Sequence, residues 1–449
     1  MAERVVDDPD VQSALEWFLE IAGNRRALEQ RIQAAQAFYR AGSVPKGLYW
    51  PETQALVMKD DLIASYLAQA DALLRDWRAY DLVLGTRIVP FIKHIGKGID
   101  SLRQMPGAVE RARRLLNPKR EHPDGALYEL VTAVRYARDD YEVEFVPETS
   151  DRAGDLRVGV LGTPKEVQIE CKRLRPSVYE LREAVLIRQL FDPLKELIHA
   201  RRLSVHVDVR FNVELAKVPG AYLAERVATA LDSRLALPNG YPWQDAYAEG
   251  VVRDAHLDQV LADTKNSSLL FSTKMARLLT GQTLPNERIL MALCSVPREE
   301  DPRYVDDVAY ASVLSWHCLA PASVEARGRH IKSLLADIDR QLANAPLGIA
   351  HIGMDAERDI ATADRRRERN LQAVQTFQAN SRLLEVHLHY YLPRVSEGAA
   401  WMIDESVDPH SRWNDFLLHD RRLLALGETD IENCLPVWHL PPPPVPPAS

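Results

Sequence analysis

A strand with two chemically different faces is the feature that most restricts what this chain can fold into. The segment 166–172 alternates polar with apolar residues, Glu166, Gln168, Glu170 and Lys172 against Val167, Ile169 and Cys171. Because successive side chains of a strand point to opposite sides of its sheet, the apolar set can bury against a core while the polar set stays available. The pattern therefore predicts a strand that is anchored on one face and carries chemistry on the other.

The elements around this strand indicate a mixed sheet. We predict a helix over 124–139, strands over 141–146, 155–161 and 166–172, a second helix over 178–200 and a fourth strand over 203–213. Alternation of helices and strands within one stretch of chain is typical of a sheet covered by helices. The predicted fold class is thus α/β, of the mixed α+β kind, with an αβββαβ core.

The rest of the chain separates into regions of different pattern. Apolar residues recur at helical spacing over 9–116, and two prolines and a glycine interrupt the pattern over 117–125. A less regular alternation of helices and strands continues beyond Pro219. We therefore expect an N-terminal helical region (1–118), the core (119–215), a C-terminal α/β region (216–435) and a proline-rich, disordered tail (436–449).

Composition limits the classes of function. With 449 residues, of which 46% are apolar, the chain can bury substantial cores. No apolar stretch is long enough for a membrane span and the acidic start lacks a signal peptide, so we expect a cytoplasmic protein with no membrane partner. The four cysteines form no Cys-x-x-Cys pair, which argues against disulfides and structural zinc. The net charge of −8 leaves any nucleic-acid binding to local basic patches.

Carboxylates on neighbouring predicted strands form a candidate cation site. Asp155 begins one strand and Glu170 lies on the next, and such oxygen ligands suit Mg²⁺, for which Mn²⁺ can substitute. The main-chain carbonyl of Cys171 is a further candidate ligand, and Glu129 on the preceding helix is a second ligand or an outer-shell partner. A bound cation would activate water for phosphodiester hydrolysis. Lys172 could orient that water, stabilise negative charge, or transfer a proton if its pKa is lowered.

This set of residues resembles the active site of the PD-(D/E)XK nuclease superfamily, which has a restriction-endonuclease-like fold. The motif reads Glu129, then Asp155, then Glu170-Cys171-Lys172, in the αβββαβ order, and it covers less than a quarter of the chain. The resemblance implies that Asp155 and Glu170 bind Mg²⁺ and that Lys172 serves the water and the transition state. Glu129 would be the acid carried by the helix.

Two departures from the family pattern are visible. Gly154 precedes Asp155 where the name of the family has proline, which weakens the resemblance more than the mechanism. Gln189 is followed four residues later by Pro193, whereas the RecB-like branch has Gln-x-x-x-Tyr on this helix. We therefore do not assign the chain to that branch.

Alternatives stay open for two of the acids. Glu148 and Asp151 lie in the loop before Asp155 and are rival ligands if the strand begins earlier. Glu129 is equally well explained as an ordinary exposed acid of its helix. The sequence alone does not choose between these interpretations.

Arginines near the motif are candidates for contacts with the phosphate backbone of a substrate. Arg173 and Arg175 directly follow the lysine of the motif, and Arg201 and Arg202 end the next predicted helix. The segment 365–369, which holds four arginines, is more typical of a solvated helix face, although it could also contact phosphates.

Two other motifs have plainer interpretations. His387 and His389 share one face of a predicted strand and could form half of a metal site, but no third ligand is recognisable nearby. A packed or exposed strand face is therefore favoured. Asp208-Val-Arg210 repeats the motif on another strand, but arginine does not readily exchange a proton, so we interpret it as structural.

These observations favour a magnesium-dependent nuclease that acts on DNA rather than RNA, as an endonuclease rather than an exonuclease. The flanking regions would select the substrate, regulate the site, or contact a homo-oligomer or a regulatory protein. Analogy with such folds suggests a role in bacterial defence against foreign DNA. The alternative, motivated by the net acidity and the missing proline, is an inactive nuclease-fold module that binds nucleic acid or a protein partner.

Overall fold

The computed structural model describes most of the chain. The residues it describes are 6–42, 58–76, 79–118, 123–147, 153–159, 166–174, 178–233, 240–265, 272–282, 288–297, 305–356, 360–394, 402–412, 422–424 and 436–439. The chain divides into two compact units, of which unit 1 comprises residues 1–40, 56–175 and 331–449, and unit 2 comprises 41–55 and 176–330. The fold is mixed α+β, as predicted.

Helices and strands alternate over much of the described chain. The helices span Pro9–Ile21 (α1), Arg25–Gly42 (α2), Leu62–Arg75 (α3), Leu82–Lys97 (α4), Ile99–Gln104 (α5), Ala108–Leu115 (α6), Asp124–Arg138 (α7), Val178–Arg201 (α8), Tyr222–Asp232 (α9), Leu257–Lys265 (α10), Ser272–Thr280 (α11), Pro321–Gln341 (α12) and Ile360–Thr376 (α13). The strands span Glu142–Phe145 (β1), Leu156–Gly159 (β2), Glu166–Arg173 (β3), Val205–Phe211 (β4), Tyr241–Gln244 (β5), Ala248–Asp254 (β6), Ile289–Pro297 (β7), Val305–Cys318 (β8), Gly348–Asp355 (β9), Leu383–Arg394 (β10) and Met402–Ser411 (β11). None of these helices combines the length and apolar character that crossing a membrane requires.

The helices at the start of unit 1 pack through apolar stripes, which confirms the predicted helical character of this region. Helix α1 begins at a cap in which the Asp8 carboxylate accepts a hydrogen bond from the Val11 amide (3.1 Å). Helices α1 and α4 approach each other closely at Gly96, where a Cβ atom would lie 1.8 Å from the carbonyl oxygen of Asp10. This contact leaves no room for a side chain at position 96.

Unit 1 contains a six-stranded sheet in the order β1-β2-β3-β9-β10-β11. The three predicted strands are present as β1, β2 and β3, which pair antiparallel, and Leu156 lies opposite Ile169. Strand β3 is parallel to β9, with Glu170 beside Ala350. Parallel neighbours need a long crossover connection, and here that connection runs through residues 174–347.

Helices cover both faces of this sheet. On one face, α7 buries Tyr136, whose hydroxyl lies 2.9 Å from Nε2 of His351 on β9. On the other face, Leu335 and Ile338 of α12 belong to the same apolar cluster as Ile352 of β9. Because His351 and Ile352 are consecutive strand residues, they point to opposite sides of the sheet. Helices α7 and α12 therefore enclose it.

The last two elements of the predicted αβββαβ core lie elsewhere. Helix α8 and strand β4 belong to unit 2, where β4 pairs with β6 and β8. Strand β3 pairs on this side with β9 and not with a strand from residues 203–213. Val207, Val209 and Phe211 of β4 are buried in a cluster that includes residues of α8 and α9. The compact units consequently cut across the predicted ranges 119–215 and 216–435.

Unit 2 has its own five-stranded sheet in the order β5-β6-β4-β8-β7. One face packs on α8 and α9, through residues such as Leu190 and Val227. The opposite face packs on α10 and α11 over strands β7 and β8, through residues such as Val260 and Leu279. Strand β5, at one edge, contains Pro242 in a stretch predicted to be a loop. An edge strand tolerates proline because the missing amide donor faces no partner strand.

The start of the predicted disordered tail is structured. Residues Val437–His439 form a short 3₁₀ helix, and Trp438 is only 5% exposed. The Trp438 ring packs 5.3 Å from the ring of Tyr390, and its Nε1 donates a hydrogen bond to the Asp364 carboxylate (2.7 Å). The prediction of disorder is wrong for this segment because one aromatic side chain finds an apolar site. Residues 440–449 lie outside the described residues.

Two glycines test the packing of unit 1. Gly96→Ala should lower the free energy of unfolding by about 1–3 kcal/mol, because the new methyl group would force α1 away from α4. Gly125→Ala in α7 is the matched control, since a Cβ there meets no atom within 4 Å and alanine favours a helix by up to about 1 kcal/mol. Urea unfolding followed by circular dichroism measures both. Equal stability of the two variants would contradict the described contact.

Candidate active site

Strand β3 has the two faces that its sequence predicts. Val167, Ile169 and Cys171 are buried. On the other face, Glu170 is 1% exposed and the side chain of Lys172 is 27% exposed, with Lys172 Nζ 2.5 Å from Glu170 Oε1. The polar face of β3 is therefore not uniformly exposed to solvent. Glu170 is buried, and the partly exposed Lys172 pairs with it.

Asp155 is tied to β3 by hydrogen bonds from both its main chain and its side chain. Its amide donates to the carbonyl of Ile169 (2.8 Å), and its Oδ2 accepts from the amide of Cys171 (2.8 Å). These two partners flank Glu170 in the chain. The structure therefore brings Asp155 and Glu170 together, as the sequence predicts.

The surroundings of Glu170 disfavour the charged form of its carboxyl group. Burial and the nearby charge of Asp155 raise the pKa of Glu170 to about 8, although Lys172 and Arg111 act in the opposite direction. Its Oε2 atom is buried and accepts no hydrogen bond from the described residues. A buried carboxylate with an unused oxygen, next to a second carboxylate, fits the ligand preference of a hard divalent cation.

Lys172 keeps its proton at neutral pH. Burial lowers the pKa of its ammonium group, but the opposing effects of Glu170, Asp155 and Glu129 outweigh burial, and the pKa is raised overall. The lowered pKa that proton transfer by Lys172 would need is therefore absent from this arrangement. A permanently charged ammonium group can stabilise negative charge or orient a water molecule.

Glu129 lies in the same cluster, but it is paired with an arginine. The Arg111 Nη1 atom is 2.7 Å from Glu129 Oε2 and 3.8 Å from Asp155 Oδ1. Both Glu129 and Arg111 are buried, so Glu129 is not an ordinary exposed acid. Nothing in the local spacing of residues relates α6 to α7, so the sequence does not place Arg111 in the site.

The donor set fits a cation with two protein carboxylates. Among the residues that the structure describes, no three His, Cys, Asp or Glu side chains are close enough together to hold a metal ion. Mg²⁺ retains several water ligands and often uses only one or two carboxylates, so Glu170 and Asp155 can suffice. The proposed ligation by the carbonyl of Cys171 stays a prediction.

The candidate arginines separate into three cases. The side chain of Arg173 is 5% exposed, pairs with Asp355 and lies 5.1 Å over the ring of Tyr391, so these groups already engage its guanidinium, and its contact with substrate stays a prediction. Arg201 and Arg202 are exposed, but they belong to unit 2. Arg175, like the rival acids Glu148 and Asp151, lies outside the described residues.

The histidines His387 and His389 are buried on β10, which matches the favoured interpretation of a packed strand face. Their third neighbour, His351, comes from β9 and was not recognised from the sequence. His351 Nδ1 lies 2.9 Å from His389 Nε2, and His389 Nδ1 lies 2.7 Å from Glu405 Oε1. With Tyr136 at the other end, these groups form a buried hydrogen-bond chain that connects α7 to the sheet.

The remaining charged motifs have structural partners. In the segment 365–369, Arg367 makes hydrogen bonds to both carboxylate oxygens of Asp408. On β4, Asp208 accepts a hydrogen bond from the Ser315 hydroxyl (2.8 Å), and Arg210 is exposed. Strand β4 thus carries no copy of the Glu170–Lys172 pair.

Comparisons with protein-family models and with curated proteins find no match to this chain.

Cation binding should compete with a proton on Glu170. Below about pH 8 the raised pKa keeps this carboxyl protonated, so a cation must displace the proton. Mn²⁺ affinity should therefore rise by about tenfold per pH unit up to about pH 8 and then level off. Isothermal titration calorimetry in buffers of different ionisation enthalpy measures the released proton. Affinity that does not change with pH would contradict the assignment, and Glu170→Gln should abolish the pH dependence.

Proposed function

We propose that this protein is a metal-dependent nuclease of the PD-(D/E)XK type that hydrolyses phosphodiester bonds. The observation that carries the proposal is the pair of Glu170 and Lys172 on β3, with Asp155 held beside them by two hydrogen bonds to the same strand. The unused oxygen of Glu170 supplies a place for a cation. These are three of the four residues to which the resemblance assigns a role.

The order of elements in unit 1 supports the same proposal. Helix α7, strands β1, β2 and β3, helix α12 and strand β9 follow one another as αβββαβ, with residues 174–320 between β3 and α12. Strand β9 is parallel to β3, and α7 and α12 cover opposite faces of the sheet. We therefore propose a restriction-endonuclease-like core in which residues 174–320 are an insertion.

The residues of this chain would divide the reaction between them. A Mg²⁺ ion, when held by Glu170 and Asp155, supplies the polarisation of the phosphate and the acidification of water that hydrolysis needs. The ammonium of Lys172 offsets the negative charge that develops on the phosphate oxygens and orients the attacking water. Glu129, paired with Arg111, keeps Asp155 in position.

The proposal extends to the substrate and the biological setting. DNA rather than RNA, endonucleolytic rather than exonucleolytic cleavage, and a role in bacterial defence follow from the resemblance alone. The flanking regions of unit 1 and the whole of unit 2 are then available for substrate selection or for contacts with a homo-oligomer or a regulatory protein. Mg²⁺ is the proposed cofactor, with Mn²⁺ as a substitute.

A second candidate is a nuclease-fold module that binds nucleic acid or a protein without cutting. It is favoured by the pairing of Glu129 with Arg111 and by the lack, among the described residues, of three carboxylates close enough together to hold a metal ion. Both candidates predict a folded unit 1. They differ in metal-dependent turnover.

Loss of the Lys172 charge should abolish most of the activity. Lys172→Ala should lower the rate of cleavage by about 10²–10³-fold, because one donor to the developing charge is removed. The measurement compares linear and circular duplex DNA, single-stranded DNA and RNA, each with Mg²⁺, Mn²⁺ or EDTA. Lys217→Ala is the matched control, since Lys217 is exposed and pairs with Glu214 three residues away.

The outcomes separate the two candidates. Metal-dependent cleavage by the wild type and by Lys217→Ala, but not by Lys172→Ala, supports the nuclease. Undiminished cleavage by a folded Lys172→Ala variant contradicts it. Binding of a substrate by the wild type without any turnover favours the non-catalytic module.

A further inference from the structure

Arg111 occupies the space between two of the proposed site's carboxylates. Its Nη1 atom lies 2.7 Å from Glu129 Oε2 and 3.8 Å from Asp155 Oδ1. Its charge also reaches Glu170, where it opposes the rise in the pKa of that carboxyl group. One guanidinium group therefore interacts with all three acids of the cluster.

The position of this guanidinium is set by packing. The side chain of Arg111 is 5% exposed, and its Cζ lies 5.6 Å from the centre of the Phe145 ring. It projects from α6, which packs on α7. Arginine side chains are positively charged in proteins. Arg111 is thus a fixed cation within the site.

Charge in the cluster is consistent with one additional cation. Once Glu170 gives up its proton, three carboxylates, Glu129, Asp155 and Glu170, face two side-chain cations, Lys172 and Arg111. Glu129 and Asp155 are both within reach of Arg111, whereas Glu170 keeps an oxygen without a hydrogen-bond partner among the described residues. The unused ligand capacity therefore lies at Glu170 and the adjacent carboxylate of Asp155.

In two-metal hydrolytic sites, ions about 3.5–4 Å apart are held by shared carboxylates. We infer that Arg111 takes the place of the second metal ion in this site, bridging Glu129 and Asp155, so that the site binds a single divalent cation at Glu170 and Asp155. This inference rests on the proposed nuclease function. It makes Glu129 a positioning residue, which acts through Arg111. The Arg111 side chain then neutralises part of the negative charge of Asp155.

The number of bound Mn²⁺ ions tests the inference without reference to activity. Isothermal titration calorimetry on the full chain, with electron paramagnetic resonance of free Mn²⁺ as a check, should give one ion for the wild type. Arg111→Met should give two, because Glu129 and Asp155 become available as ligands. The double variant Arg111→Met/Glu129→Gln should return to one.

A second variant keeps the test decisive if Arg111→Met does not fold. Glu129→Gln retains an oxygen that can accept a hydrogen bond from Arg111, and it should bind one Mn²⁺ with an affinity within about tenfold of the wild type. Asp155→Asn, which alters a proposed ligand, should bind much more weakly. Circular dichroism confirms the fold of each variant.

The possible results distinguish this inference from the proposed function. Two ions in the wild type, one ion in a folded Arg111→Met variant, or a loss of affinity in Glu129→Gln as large as in Asp155→Asn overturns the inference while leaving a nuclease possible. One ion in the wild type, two in Arg111→Met and no cleavage of any substrate supports the inference and contradicts the nuclease. No bound ion in the wild type overturns both.

Discussion

The arrangement of this site depends on the hydrogen bonds that hold Asp155 against strand β3. The Asp155 amide bonds to Ile169 and its carboxylate to the amide of Cys171, on either side of Glu170. Two acidic side chains that would repel each other in water are thereby kept adjacent in a buried place. The raised pKa of Glu170 records the electrostatic cost of this arrangement. A cation between them would relieve that cost.

The surrounding structure reduces the cost without removing it. Lys172 pairs with Glu170, and Arg111 lies between Glu129 and Asp155. The arginine comes from α6, in the region predicted to be helical, so the helices before residue 119 contribute to the site as well as to the core. The chain of hydrogen bonds from Tyr136 through His351 to His389 connects α7 to strands β9 and β10 of the same sheet.

Local pattern predicted the local parts of this structure well. Alternation along β3 gave its two faces, and the neighbouring strands and helix α7 were found at nearly their observed bounds. The same alternation predicts the side on which Arg173 lies, because a residue two positions after Cys171 shares its buried face. The alternation that places Lys172 outward therefore also indicates that Arg173 points inward.

The sequence did not predict which distant strands and side chains pair with one another. Strand β9 reads as an ordinary apolar strand, and nothing in it specifies that it pairs with β3 across residues 174–347, while β4 joins another sheet. The same holds for Arg111 and His351, whose partners lie on distant elements. Parallel strands and buried ion pairs are contacts between remote segments, so they become visible only when the fold is known.

The chemistry of this site requires that Glu170 and Asp155 together bind a divalent cation. Anomalous scattering from crystals soaked with Mn²⁺ would locate such an ion. We expect one anomalous peak within coordination distance, about 2.2 Å, of a carboxylate oxygen of each residue. Occupied Mn²⁺ sites elsewhere on the protein, with none at Glu170 and Asp155, would contradict it.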